Sequence, residues 1–108
     1  MALFVYVTAP DAACAESIGR MLLERRLAAC VNILPAMRSL YWWNGAIESS
    51  QETAFIAKTE ADRFEALAQA VRAAHPYQCP CVVALPVDRG APDFLEWVIT
   101  STRPEPVV

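Results

Sequence analysis

Tyr41-Trp42-Trp43-Asn44-Gly45 is the stretch that decides the fold. Asn-Gly between apolar-rich flanks is the strongest short-range signal for a β-hairpin. A type I′ turn needs φ > 0 at both central residues, and Asn and Gly tolerate that conformation best. The flanks are long, Val31 to Trp43 on one side and Ala46 to Lys58 on the other. Such a hairpin offers more edge than a small domain can cover by itself. Two of the three tryptophans stand at its tip. Their rings are left in water unless a partner covers them. The hairpin therefore points to an oligomer before it points to any chemistry.

Working outward, the run Leu3 to Thr8 reads as a first strand and Asp11 to Arg26 as a helix with Asp11 as N-cap. Ile18, Met21, Leu22 and the stem of Arg25 share one face of that helix at helical spacing. Leu27 to Trp43 is a long strand interrupted near Pro35, which lacks a ladder donor and calls for a bulge or an edge. The return strand runs from Ala46 to about Lys58. Thr59-Glu60-Ala61-Asp62 resembles a capping box opening a second helix, with Phe64, Leu67, Ala68 and Val71 on one face. His75-Pro76 ends that helix, because the residue before proline is pushed out of the α region. Cys81 to Val87 is a fourth strand, Gly90 a break, and Pro92 the opening of a last short helix with Phe94, Leu95, Trp97 and Val98. The tail Pro104-Glu105-Pro106 is expected to be extended. The order β-α-β-β-α-β with an added helix is the ferredoxin-like plan of the α+β class. Right-handed crossovers then place both main helices on one face of a four-stranded antiparallel sheet.

The 108 residues suit a single domain, 1–108, and 56% apolar content gives a core that needs no disulfides. A net charge of −3 with no basic stripe argues against nucleic acid as a partner. Arg25-Arg26, the only basic pair, reads as the solvated end of a helix. The stretch Ala2 to Thr8 lacks a basic leader and is far too short to span a bilayer. The expectation is a cytoplasmic protein with reduced thiols and no membrane association.

The residues exclude most catalytic machinery. Three glycines, at Gly19, Gly45 and Gly90, cannot build a phosphate cradle. His75 is the only histidine, so any Ser-His or Cys-His arrangement must use it, and nothing in the sequence orients it. The expectation is no enzyme. Cys14 and Cys30 sit among alanines and leucines and read as small buried hydrophobes. Cys79-Pro80-Cys81 differs: residues two apart in an extended segment point the same way, so both thiols reach toward one soft ion. With His75 upstream the set suits Cu(I) or Zn(II) if a fourth ligand arrives from elsewhere. Glu52 and Lys58, six apart on one strand, share a face. They read either as a solvated surface or as the polar floor of a ligand cleft.

Several blocks together carry a resemblance. They are Thr8-Ala9-Pro10-Asp11, Leu27-Ala28-Ala29-Cys30-Val31-Asn32, Ser39 through Gly45, Lys58-Thr59, His75-Pro76-Tyr77-Gln78-Cys79-Pro80 and Leu95-Glu96-Trp97. In this order, from Leu3 to about Ser101, the chain closely resembles the CutA divalent-cation-tolerance proteins. The resemblance implies a ferredoxin-like subunit in a tight homotrimer, with the long hairpins paired across subunits. The architecture is similar to that of PII-type signalling proteins. It also implies a link to tolerance of copper and other divalent metals, no enzymatic activity, and no metal needed for folding.

Within that resemblance, Val7 stands where some members have a cysteine suggested as a copper ligand. Ala74 stands where some have a second histidine, and Cys81 where glutamate is common. His75, Cys81 and Cys79 are left as the local metal candidates. Glu52, Lys58, Tyr77 and Trp43 are the expected cleft residues, and Tyr41, Trp42, Trp43 and Trp97 the expected trimer interface. Two readings follow: a trimeric protein binding copper or another divalent metal at an inter-subunit cleft, or a PII-like trimer that binds a small molecule or partner protein there.

Overall fold

The computed structural model describes residues 1–103, so the expectation for Pro104 to Pro106 lies outside the described residues. The elements are β1 (Ala2–Ala9), α1 (Ala12–Glu24), β2 (Cys30–Trp43), β3 (Ala46–Glu60), a short 3-10 turn (Ala61–Arg63), α2 (Phe64–Ala74), β4 (Val82–Pro86) and α3 (Pro92–Ser101). The sheet order is β2-β3-β1-β4, with all three pairings antiparallel. This is the α+β, ferredoxin-like arrangement.

Alternation along β1 sorts the two faces of the sheet. Leu3, Val5, Val7 and Ala9 are buried, while Phe4, Tyr6 and Thr8 between them are half-buried. The buried set meets Phe55 and Ala57 of β3, Ala15, Ile18 and Leu22 of α1, and Leu67 and Val71 of α2 in one core. Gly19 permits the close approach of α1 to β2, since a Cβ there would lie 3.0 Å from Cγ1 of Val31. The opposite face carries Phe4, Tyr6, Ile56, Val83 and Leu85, the last two 48% and 58% exposed. Among the described residues only α3 reaches that side, where Phe94 lies over Lys58. Its far end is tied back by Arg26 Nη1 donating to the Ser101 carbonyl (3.3 Å) and Arg63 Nε donating to the Thr102 carbonyl (2.8 Å).

The turn and the interruption fall where the residues demand them. Asn44 and Gly45 both have positive φ, 51° and 79°. Register slips between Leu34 and Met37, with Ala36 at φ 60°, so the bulge takes up Pro35 and its missing donor. Asp11 caps α1 through Oδ1, which accepts from the Cys14 amide at 2.8 Å.

Four features differ from the sequence reading. First, α1 stops at Glu24 because Arg26 turns left-handed (φ 57°) in a Schellman closure. The Leu27 amide donates to the Leu22 carbonyl and the Arg26 amide to that of Leu23. Arg25 consequently stays exposed rather than packing by its stem, and β2 starts at Cys30 instead of Leu27. Second, Thr59-Glu60-Ala61-Asp62 is not a capping box. Thr59 is a fully buried strand residue whose hydroxyl donates to the Leu27 carbonyl at 2.7 Å, and Asp62 pairs with Arg103 at 2.8 Å. The strand wins because the Thr59 hydroxyl finds a better partner across the sheet than at a helix start. Third, β4 is shorter than expected, since Cys81 precedes the ladder and Val87 follows it. Fourth, Cys14 and Cys30 are half-buried rather than inside the core, and of the two Cys14 packs against its edge.

Candidate functional site

Past the end of β1 the β2–β3 arm, the tip of β1 and the loop between α2 and β4 enclose a groove of about 580 Å³. Thr8 and Pro10 line it from β1 and its exit, Tyr41 and Trp43 from β2, and Ser50 and Glu52 from β3. The loop adds Tyr77, Gln78, Cys79 and Cys81. Alternation explains the arm's contribution. Tyr41 pairs with Glu48 and Met37 with Glu52, so Tyr41, Trp43, Ser50 and Glu52 project from the face away from α1 and α2.

A chain of hydrogen bonds fixes this wall. The Tyr77 amide can only donate, and it meets His75 Nδ1 at 3.1 Å. The Thr8 carbonyl can only accept, and His75 Nε2 lies 2.7 Å from it. The imidazole is therefore neutral with its proton on Nε2, tying β1 to the loop. Its ring packs at 4.6 Å against that of Tyr77, whose hydroxyl donates to Glu52 Oε2 at 2.6 Å. Burial, then the bond to Glu52 and the charge of that carboxylate, push the Tyr77 hydroxyl well above the ordinary tyrosine range. Burial also raises the Cys81 thiol, helped by the charges of Glu52 and Cys79. At neutral pH the Tyr77 phenol and the Cys81 thiol are thus both protonated.

Glu52, Tyr77 and Trp43 meet in the groove, and Cys79 and Cys81 stand exposed on its loop wall. Lys58 does not belong to it. Lys58 shares the face of Glu52 as the even spacing requires, but lies far along β3, with Nζ 5.2 Å from the Phe4 ring centre and 5.4 Å from that of Phe94. The aromatic pair holds the ammonium by cation–π attraction. His75 is likewise withdrawn: it is buried, and both ring nitrogens are engaged by backbone, so an ion could reach it only by breaking one of those bonds. Among the described residues no group of three or more His, Cys, Asp or Glu side chains is placed to hold a metal ion.

Of the expected interface residues, Tyr41 lines the groove together with Trp43, whereas Trp42 projects from the other face of the arm and is 72% exposed. Trp97 lies on α3, half exposed, its ring 5.8 Å from that of Phe94. Sequence reasoning missed Thr8, Ser50 and Gln78 as lining residues. The signal for Thr8 was present in the Thr8-Ala9-Pro10 block. Ser50 and Gln78 carry no mark that distinguishes them from other polar surface residues.

A small α+β fold with a polar-and-aromatic groove between a long hairpin and a Cys-Pro-Cys loop is the class that fold and site define. The model of the CutA1 divalent ion tolerance protein family matches residues 3–101, and the chain belongs to that family. It is similar to the divalent-cation tolerance protein CutA of Archaeoglobus fulgidus, 46% identical over 95 residues, which cover 88% of this chain and 92% of that one. The solved structure of the periplasmic divalent cation tolerance protein CutA from the same organism superposes with a TM-score of 0.93 at 44% identity, covering 95% of this chain and 100% of that one. The chloroplastic CutA 1 protein of rice is 40% identical over 99 residues, 92% of this chain and 56% of that protein. One of these relatives is periplasmic and another chloroplastic, which overturns the expectation of a cytoplasmic protein. The physical reason is that the fold and its free thiols impose no compartment, and the character of β1 as a core strand says nothing about delivery. No helix among the described residues is long and apolar enough to cross a membrane.

Proposed function

We propose that residues 1–108 form one domain of a homotrimeric divalent-cation tolerance protein that binds a soft metal ion and performs no catalysis. The observation that carries the metal reading is the pair Cys79 and Cys81, both exposed on one wall of the groove with Glu52 opposite. Thiolates select Cu(I) and Zn(II) over hard cations. Cys79 and Cys81 offer two sulfur donors of the kind copper and zinc take, and groups from another subunit would have to complete the shell. His75 acts as a positioning residue, tying the loop to β1.

The trimer is supported by the arm. Leu40, Trp42 and Ile47 are 73%, 72% and 66% exposed on one face, with Tyr41 and Trp43 on the other. Sedimentation at low micromolar concentration should show one species near three times the subunit mass, and a monomer would overturn the assembly. For the metal, the purified protein is titrated with Cu(I) against a competing chelator under reducing conditions. Tight binding should vanish when Cys79 and Cys81 are both changed to Ser, with circular dichroism unchanged by the substitution or by chelation. Parent-like binding by that double variant would place the ligands elsewhere. Because the Cys81 thiol is raised, the ion must displace a proton, and affinity should increase as pH increases.

A second reading, in which the groove of the trimer takes a small molecule or a partner protein, is favoured by the aromatic walls of the groove and its single carboxylate.

A further inference from the structure

Cys79 and Cys81 are both free thiols and both exposed, with Pro80 alone between them. The covalent chain limits how far apart they stand. With one residue between them, two Cα atoms lie at most about 7 Å apart. Extended backbone of the kind that precedes a proline gives about 6–6.6 Å. A disulfide spans Cα separations of about 4.4–6.8 Å, so a bridge is within reach, toward the long end of that range. None of the three residues has the positive φ that would turn the two side chains elsewhere. We propose that Cys79 and Cys81 form a reversible dithiol–disulfide couple that exchanges with low-molecular-weight disulfides and closes a bridge across Pro80.

The loop can supply the small contraction that a bridge needs. β4 begins at Val82, so neither cysteine is a ladder residue. Outside the ladders, no backbone hydrogen bond among the described residues involves 78–81. The anchors stand on either side: His75 and Tyr77 are tied to Thr8 and Glu52, and Val82 pairs with Val7. A bridge closed between fixed anchors stores strain, and a strained, exposed disulfide is the labile kind that thiols reduce again. The other two cysteines stand apart from the couple. Cys14 is half-buried against the core, and Cys30 directs its thiol to Asn32 Oδ1 at 3.9 Å on β2. Cys79, farther from the sheet, attacks first. Its thiolate bonds to one sulfur of the reagent disulfide, the reagent's S–S bond breaks, and the departing thiolate takes up the proton that Cys79 gave up. Cys81, next to the anchored Val82, then attacks the Cys79 sulfur, and the second reagent thiolate leaves with the Cys81 proton. Two electrons pass from the cysteines to the reagent, and the products are the bridge and two reagent thiols. The same sulfurs are the donors proposed above for a soft ion, so the bridge leaves that ion no thiolate. This consequence rests on the metal reading; the exchange itself does not.

The test equilibrates the purified protein, with a chelator present, in glutathione buffers of increasing oxidised fraction. Alkylation followed by mass spectrometry should count four free thiols per chain at the reduced end and two at the oxidised end. No glutathione should be retained, and the bridge should map to the peptide that holds both cysteines. Dithiothreitol should restore all four thiols. Cys81→Ser should stop at one glutathione on Cys79, and Cys79→Ser should form no bridge, while sedimentation and circular dichroism stay parent-like in both. A bridge to Cys14, a bridge between chains, glutathione retained by the parent, or four thiols throughout the series overturns the couple. In the chelator competition, bridged protein should bind Cu(I) about tenfold or more weakly than reduced protein. Unchanged Cu(I) affinity in bridged protein would overturn the metal reading and leave the couple standing. Tight Cu(I) binding by a parent that never forms the bridge would overturn the couple alone.

Discussion

Phe55 and Ile47 lie on the same strand, eight residues apart and by alternation on the same face, yet Phe55 is fully buried and Ile47 is 66% exposed. The half of β3 that carries Phe55 runs beneath α1 and α2 and joins a continuous core with Val5, Val7, Leu22 and Leu67. The half that carries Ile47 belongs to an arm that no helix among the described residues reaches, and its neighbours Leu40 and Trp42 are exposed too. The two halves differ in what lies above the strand and not in the apolar character of the strand itself. One half is stabilised by its own chain. The other presents on both faces side chains whose burial requires a second chain.

The largest expected effect breaks the self-sufficient half. Phe55→Ala removes a fully buried ring and should cost about 3–5 kcal/mol, read as a lower denaturant midpoint. Trp43→Ala should act on the arm instead. It should shift sedimentation toward smaller species and lower the melting temperature in a concentration-dependent way, and an unchanged oligomer would show that the ring stays solvated. Gly45→Ala sharpens the comparison at the tip. Nothing lies within 4 Å of the added Cβ, so the cost is purely that of φ +79° for a non-glycine residue, about 1–2 kcal/mol.

The smallest effect concerns the loop between α2 and β4, whose Tyr77 hydroxyl bonds Glu52 of β3. The Tyr77 hydroxyl titrates higher in the folded protein than in the unfolded chain, so between those values the folded state holds a proton that the unfolded state has lost. Its contribution to stability is complete below the ordinary tyrosine range, about pH 10, and is lost as pH climbs beyond it. The denaturant midpoint should fall through that window in the parent. The fall should be shallower in Tyr77→Phe, and equal slopes would show that the bond to Glu52 is not felt.

Much of this molecule is legible in the chain. Asn44-Gly45 fixes the turn, because few other pairs accept positive φ twice in succession. Pro35 fixes the bulge, since it cannot donate. Asp11 starts α1, and alternation sorts the faces of β1 and β3. These features depend on local stereochemistry and on periods of two or 3.6 residues, which neighbours in sequence carry between them. The place of Glu52 on the open face, six residues from Lys58, was legible for the same reason.

The tertiary structure alone decided which of these residues meet. Spacing put Lys58 beside Glu52 in a cleft, whereas the packing of α3 brought Phe94 over its ammonium and left it far from the groove. Spacing also grouped His75 with Cys79 and Cys81. The crossing of the loop over the end of β1 instead gave the imidazole two backbone partners, 67 residues away in one case and two in the other. Thr59 looked like a helix cap, but its hydroxyl donates instead to the Leu27 carbonyl, 32 residues away. In each case two or more groups compete for one partner, and the winner is set by distances that only the closed fold establishes. Local stereochemistry determined the elements of this protein, and long-range competition for hydrogen bonds and aromatic faces determined its site.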